Sequence, residues 1–331
     1  MKKVIGIDFG TSKTAIYLTK KGVLYNEPTV VAINKETKKV INAGYLAFKL
    51  LGKTPDNTLV YTPIRNGVVN HIPAASLYLE TVLKDLKLKK YLSRSTVIVS
   101  CPSELTQVET NALRLVLKNI GCKKAILKSQ GYLASIGGNK DGAAIKGSLC
   151  VNIGGGVSDI VIMSNGEELI SHTSRFSGTL IDNSIIKFLR KTHHLIISNK
   201  TAEYIKMKIG SIETYPENRL LEISGIDVVS SLLHSVVIST QEIKQTIINT
   251  ITPLVDDIVD CLEVTPPEVA SDIIQSGILL SGGGSLLTGI KDYLESKINV
   301  SCRLAANPSD SVIEGIKITA HKELAEQENK K

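Results

Sequence analysis

The sequence runs to 331 residues, 43% of them hydrophobic and 21% charged, with a formal net charge of +7 and no low-complexity tract. That length favours two domains over one large core, and the composition excludes a disordered, collagenous or disulfide-scaffold chain. No arginine cluster or basic run with interleaved aromatics accompanies the positive charge, so a solvated lysine-rich surface explains it, and nucleic acid is not an expected partner.

Five cysteines (Cys101, Cys122, Cys150, Cys261 and Cys302) are widely spaced in mostly apolar surroundings, without a C-x-x-C pair. Free thiols in a reducing compartment fit them. The chain opens M-K-K-V-I-G-I-D and moves at once into a strand, which leaves no room for a signal peptide. Apolar runs stop short of the roughly 18 residues a membrane span needs. The expected location is the cytoplasm, with any membrane contact peripheral.

In chain order, residues 1–33 predict three strands, over 4–8, 14–19 and an alternating β-branched stretch from 22 to 33. Residues 34–65 are polar around a short helical segment at 43–51 and read as a small insert. A helix follows from about 74 to 89, then a buried strand at 95–102 ended by proline. The next helix closes on Gly121, and a strand at 125–129 with a short helix completes a first lobe. Residues 139–147 read as the connection. The second lobe repeats the scheme: paired strands at 151–163, a third near 168–174, and a helix at 179–191. A second insert spans 192–250, with a helix T-A-E-Y-I-K-M-K-I-G and a polar E-T-Y-P-E-N loop. A helix at 240–264, the T-P-P-E corner and a strand G-I-L-L-S follow. That strand is expected to break at Gly282, Gly283 and Gly284 into a helix S-L-L-T-G-I-K-D-Y-L-E-S-K, and the end, E-L-A-E-Q-E-N-K-K, to be a frayed helix.

The chemistry sits where apolar runs break at glycines. I-D-F-G-T-S-K-T at residues 7–14 overlays V-N-I-G-G-G-V-S at 151–158 with an offset of 144, so that Asp8 meets Asn152, Gly10 meets Gly154 and Thr14 meets Ser158. Two similar hairpins suggest two similar half-chains. Glycine turns let backbone N–H groups approach a ligand closely, and a phosphate chain suits them. Two such turns facing each other across a cleft could hold a polyphosphate from both sides. The third element, Gly282 to Gly284, offers bare backbone on which a flat ring can lie. Walker A is absent, which argues against P-loop chemistry.

These motifs, with V-L-Y-N-E-P-T-V-V-A-I, P-I-R-N-G-V-V, T-A-E-Y-I-K-M-K-I-G-S, L-E-V-T-P-P-E-V-A-S-D-I and G-I-L-L-S-G-G-G-S-L-L-T-G-I, span residues 4 to about 316. The chain resembles the actin, sugar-kinase and heat-shock-70 ATPase superfamily, and within it the MreB bacterial actins. The resemblance implies an α/β, actin-like two-lobed fold, each lobe a mixed sheet flanked by helices with a small inserted subdomain. It divides the chain into a first core (1–33, 66–147, 316–331) with insert 34–65, and a second core (148–190, 251–315) with insert 191–250. It further implies ATP or ADP with Mg²⁺ as cofactors. Asp8 would hold waters of the metal shell, with Asn152 a weakened outer-shell partner. Gly10, Thr11, Ser12 and Lys13 would line one side of the triphosphate, and Gly154, Gly155, Gly156, Val157 and Ser158 the other. Glu203 and Lys206 would approach the nucleoside, and Gly282, Gly283 and Gly284 the adenine. Without the resemblance, Glu203 and Lys206 read as a surface ion pair one turn apart.

Three departures from the family pattern bear on hydrolysis. Where MreB proteins typically read E-E-P, this chain has Ser129, Gln130 and Gly131, and an amide at Gln130 can orient water but cannot take its proton. Eukaryotic actin carries glutamine at the equivalent place. Asn152 replaces an aspartate, and Val157 replaces a threonine hydroxyl that Ser158 could supply if the turn shifted. The expectation is ATP binding with weak hydrolysis, in a protein that assembles with itself into filaments supporting cell shape or motility. Other actin-like copies and an anionic membrane surface, met by Lys84, Lys87, Lys89, Lys90 and Arg94 on a helix over 77–92, join the expected partners. The alternatives are a small-molecule kinase, for which no persuasive catalytic aspartate stands beside the motifs, and a chaperone-type ATPase, which needs a peptide-binding domain after residue 330.

Overall fold

The computed structural model describes residues 3–139, 147–213 and 217–329. Most of the 139–147 connection and the centre of the E-T-Y-P-E-N loop lie outside them. The chain divides into two compact units, residues 1–144 with 309–331, and residues 145–308.

Unit 1 begins with β1 (Val4–Phe9), β2 (Lys13–Leu18) and β3 (Gly22–Pro28). The chain then makes β4 (Val31–Asn34), β5 (Val40–Ala43), the single turn α1 (Tyr45–Phe48) and β6 (Thr58–Tyr61). The one strand expected over 22–33 is therefore two: β3 pairs with β2, whereas β4 is the centre of a separate three-stranded sheet, β5-β4-β6. Pro28 marks the break, since proline has no N–H to donate to a ladder. A two-stranded ribbon, β7 (Ile64–Arg65) and β8 (Val68–Val69), leads into α2 (Ile72–Asp85), whose first turn is capped by the His71 ring.

α2 stops earlier than its lysines suggest. Lys87 adopts left-handed φ, its N–H donates to Lys84 O, and the N–H of buried Leu88 donates to Leu83 O. This is a Schellman closure with lysine in glycine's usual place. Lys87, Lys89, Lys90 and Arg94 consequently lie beyond the helix and share no helical face. β9 (Thr96–Cys101), α3 (Gln107–Asn119), β10 (Lys124–Ser129) and α4 (Gln130–Gly138) complete this stretch.

Unit 2 starts with β11 (Gly147–Ile153), β12 (Ser158–Ser164), β13 (Glu167–Ser174) and α5 (Gly178–Thr192). Its insert holds β14 (Leu195–Ile196), α6 (Asn199–Ile209), β15 (Leu220–Asp227) and β16 (Leu233–Ser239) in a second three-stranded sheet, β14-β15-β16. α7 (Thr240–Glu263), α8 (Pro267–Ser276), β17 (Ile278–Ser281), α9 (Ile290–Ile298) and β18 (Cys302–Leu304) follow. The glycines after β17 form a short 3₁₀ turn, and α9 begins only at Ile290, after left-handed Gly289. The strand breaks at the glycines as expected, and the helix expected from Ser285 starts five residues later. The chain then returns to unit 1 as α10 (Ser311–Asn329), a 19-residue helix packed on α4 and β1; its end is helical as expected, with Glu323 and Gln327 bonded to Lys124 and Thr96.

The two large sheets have one design. Unit 1 orders its strands β10-β9-β1-β2-β3, unit 2 β18-β17-β11-β12-β13, and in both the first three pair antiparallel while the rest join parallel. Register confirms the repeat: Phe9 faces Thr14 as Ile153 faces Ser158. Each unit packs its own apolar core, around Ile7, Tyr78 and Val99 in one and Val151, Ile185 and Ile258 in the other. Among the described residues, no helix is long and apolar enough to cross a membrane.

Candidate functional site

Both glycine turns close in the same way. Gly10 N–H donates to Lys13 O at 3.1 Å, and Gly154 N–H donates to Val157 O at 3.0 Å. A Cβ would sit 2.9 Å from that closing oxygen at Gly10 and 2.7 Å at Gly154, closer than any side chain tolerates. Glycine is thus required by close approach, and the backbone of each turn stays bare.

The first turn is braced from several sides. Thr29 Oγ1 bonds Gly10 O at 2.7 Å and Thr14 Oγ1 at 2.8 Å, Ser12 O accepts Thr29 N–H at 3.1 Å, and Thr11 Oγ1 accepts Gly67 N–H at 2.9 Å. Lys13 pairs with Asp310, one residue before α10, at 2.7 Å. Beside the turn, at the end of β1, Asp8 is buried. Ser100 Oγ donates to its Oδ1 at 2.6 Å, while Gln130 Nε2, in the first turn of α4, donates to Ser100 Oγ at 3.4 Å. Burial pushes the Asp8 carboxyl above its ordinary range, against the lowering effects of Ser100 and Lys13.

The second turn is knitted to α5. Gly178 N–H donates to Gly154 O and Thr179 N–H to Gly155 O, both at 3.0 Å. Lys206 on α6 reaches the same place, donating to Gly178 O at 3.1 Å and pairing with Asp182 at 2.9 Å. Its partner is therefore Asp182, not Glu203, which corrects the surface-pair alternative; Glu203 stands half-buried three residues earlier on α6. Burial pushes the Asp182 carboxyl up to about 6, against Lys206. Gly282 and Gly284 press on the end of β11: a Cβ at Gly282 would lie 2.8 Å from Ile153 N, and one at Gly284 3.1 Å from Ile153 Cβ. Gly154 to Gly156, Lys206 and Gly282 to Gly284 are thereby gathered within unit 2.

The departures take definite form. Asn152 is buried opposite buried Asp159, and its Oδ1 has no hydrogen-bond partner among the described residues. An aspartate there would set two carboxylates across neighbouring strands, so the amide relieves a repulsion that a cation would otherwise have to offset. Ser281 is Asn152's neighbour on β17, as Ser100 is Asp8's on β9, yet its hydroxyl goes to Pro308 O. Ser158 does not replace the hydroxyl missing at Val157, because its Oγ donates to Phe176 O at 2.8 Å.

Sequence reasoning passed over Ser100, Asp182 and Asp310. Only Ser100 carried a signal, as the polar residue closing a buried strand.

Two units of repeated topology, each closing a glycine turn at the end of its first strand, define an actin-like fold. The comparisons give the family. The sequence matches the MreB/Mbl protein family over residues 2–328. It is 32% identical to the cell shape-determining protein Mbl of Bacillus subtilis (strain 168) over 313 residues, 94% of this chain and 93% of that one. It is 30% identical to the cell shape-determining protein MreB of Escherichia coli (strain K12), covering 94% and 91%. The crystal structure of MreB 5 of Spiroplasma citri bound to AMPPNP superposes with a TM-score of 0.92 at 33% identity, covering 100% and 99%. The MamK double helical filament shares the fold, with a TM-score of 0.82 at 18% identity, covering 97% of this chain and 99% of that one. The chain belongs to the MreB/Mbl family.

Proposed function

We propose that this protein is an ATP- and ADP-binding actin-like filament protein of the cell-shape or motility machinery, with weak hydrolysis. The observation that carries the reading is the pair of identically closed glycine turns at equivalent registers, each leaving backbone N–H groups bare for phosphate oxygens. The similar MreB 5 of Spiroplasma citri is known bound to AMPPNP and to ADP, which supports the same ligands here. Thr11, Ser12 and Lys13 would join Gly10 on the phosphates, with Lys13 exchanging Asp310 for phosphate. Glu203 and Lys206 would approach the nucleoside, and Gly282 to Gly284 the adenine.

The residues fit Mg²⁺ held through water. No group of three or more His, Cys, Asp and Glu that could hold a metal stands among the described residues. Asp8 is nonetheless a buried carboxylate and Asn152 Oδ1 a buried acceptor without a partner. Mg²⁺ keeps much of its hydration shell and suits such outer contacts, where it would neutralise phosphate charge. Gln130 would orient an attacking water without taking its proton, and neither Val157 nor Ser158 has a hydroxyl to give.

A phosphate-release assay tests the reading against a variant carrying Gln130→Glu, Asn152→Asp and Val157→Thr. Turnover should rise by about tenfold or more, since single positioned groups contribute on the order of 10²-fold in such sites. Equal turnover with equal nucleotide affinity would sink the account of weak hydrolysis. An anionic membrane is a further proposed partner, through the exposed Lys84, Lys87, Lys90 and Arg94. Their replacement by glutamate should abolish co-sedimentation with phosphatidylglycerol vesicles; unchanged binding dismisses that surface.

A further inference from the structure

One strand of the unit 1 sheet separates Asp8 from Gln130. The order is β10-β9-β1, with Asp8 near the end of β1 and Gln130 opening α4 directly after β10, so a bonded link between the two has to cross β9. Ser100, one residue from the end of β9, fills that crossing. It is the register neighbour of Lys128 on β10, while Val99 before it is that of Ile7 on β1. The first turn of α4 is held at the same level, because Ser129 caps it by accepting Tyr132 N–H at 2.9 Å. All three side chains are buried: Ser100 is 2% exposed, Asp8 8% and Gln130 9%.

A hydroxyl has one proton to donate and two lone pairs to offer. At Ser100 all three are used. The proton goes to Asp8 Oδ1 at 2.6 Å, the short length of a hydroxyl bonded to a carboxylate. The lone pairs accept Phe9 N–H at 3.3 Å and Gln130 Nε2 at 3.4 Å. With its single proton committed to Asp8, Ser100 can only accept from Gln130, so the amino end of the amide is the end turned to the sheet. Gln130 Oε1 makes no hydrogen bond among the described residues and is the free end. The bonds therefore run in one direction, from Gln130 through Ser100 to Asp8.

That direction decides what the amide can do for a water molecule. An amide oxygen accepts a proton from water and leaves the water's lone pairs free to attack, whereas an amino group donates to a lone pair and blocks it. The link is not a by-product of the fold, because the repeated sheet lacks it. Ser281 stands beside Asn152 on β17 as Ser100 stands beside Asp8 on β9, yet its hydroxyl goes to Pro308 O, and Asn152 Oδ1 has no partner among the described residues.

We propose that Ser100 is a positioning residue for ATP hydrolysis, which fixes the Gln130 amide with its oxygen toward the attacking water by donating to Asp8 and accepting from Gln130. This rests on the role given to Gln130 above and supplies the group that holds it. In the reaction the water oxygen bonds the terminal phosphorus, and the phosphorus–oxygen bond to ADP breaks with its electron pair left on ADP. One proton of the water passes to the released phosphate. Ser100 acts on these atoms only through Gln130.

The placement is read first without nucleotide. In ¹⁵N–¹H spectra of the full chain, the Gln130 side-chain amide, identified by its loss in Gln130→Ala, should move toward the position of free glutamine in Ser100→Ala and return in Ser100→Thr. Ser100→Cys, close in size but a weaker donor, should move it in the same sense as alanine and keeps the comparison open if the alanine variant folds poorly. Nucleotide affinity should stay within about twofold in Ser100→Ala, while single-turnover phosphate release slows by about tenfold and recovers in Ser100→Thr. The double variant Ser100→Ala with Gln130→Ala should be no slower than Gln130→Ala alone, since a group acting through another adds nothing once that other is gone. An unmoved amide resonance, or two slowdowns that multiply, would overturn the role of Ser100 and leave the nucleotide and filament readings standing. Gln130→Ala hydrolysing ATP at the wild-type rate would overturn both this inference and the role given to Gln130.

Discussion

Asp182 shows how a single side chain is caught between solvation and charge. Its side chain is 11% exposed and its partner Lys206 17%, so the carboxylate loses most of its water and gains one cation. Burial wins, and the group titrates near 6 instead of 3.8. The folded state thus holds this proton more tightly than the unfolded chain does. The stability it lends is complete below about pH 4, falls as pH rises toward 6, and is constant above that, a change of about 3 kcal/mol. In urea titrations, Asp182→Asn should lack this fall, so its stability relative to wild type should improve by about 3 kcal/mol between pH 4 and pH 7. A difference independent of pH would show that Lys206 balances burial, and a change in the opposite sense that it outweighs it. Since Lys206 also holds Gly178 beside the second glycine turn, the same substitution should loosen that turn.

At the scale of elements, two helices of unit 1 meet where side chains are missing. A Cβ on Gly315 of α10 would run into the backbone oxygen of Leu133 on α4, and one on Gly137 of α4 into that of Ser311 on α10. The helices approach backbone to backbone, which lets α4 carry Gln130 toward Ser100 while Asp310, just before α10, reaches Lys13. Gly315→Ala should therefore destabilise the protein by about 2–3 kcal/mol through overpacking, despite the better helix propensity of alanine. A urea midpoint unchanged from wild type would refute this close crossing. Helix ends follow comparable logic: α3 stops at left-handed Gly121 and α2 at left-handed Lys87, with the same pair of closing bonds.

At the scale of the molecule, the same five-stranded design occurs twice, and the chain returns to unit 1 only through α10. Duplication explains why two turns share one closure while their flanks diverge. The first keeps a buried acid bonded to serine; the second keeps an amide whose oxygen has no partner among the described residues.

Much of this was legible in the residues. The 144-residue offset located both hairpins and their register, because glycine turns and β-alternation are local signals that tertiary context seldom overrides. Glycine at 121 announced a helix stop, whereas Lys87 did not, since lysine is not a residue type that signals left-handed φ, and here it is accompanied by the burial of Leu88. The split of the 22–33 stretch and the strands of the inserts were likewise hidden, because strand pairing depends on partners distant in sequence. The sequence by itself determined where bare backbone is offered to a phosphate and which polar groups are missing around it. Only the tertiary structure decided that Lys206 answers to Asp182, that Ser158 is committed to Phe176, and that Ser100 joins Gln130 to Asp8, for these depend on which buried groups meet once the strands have paired.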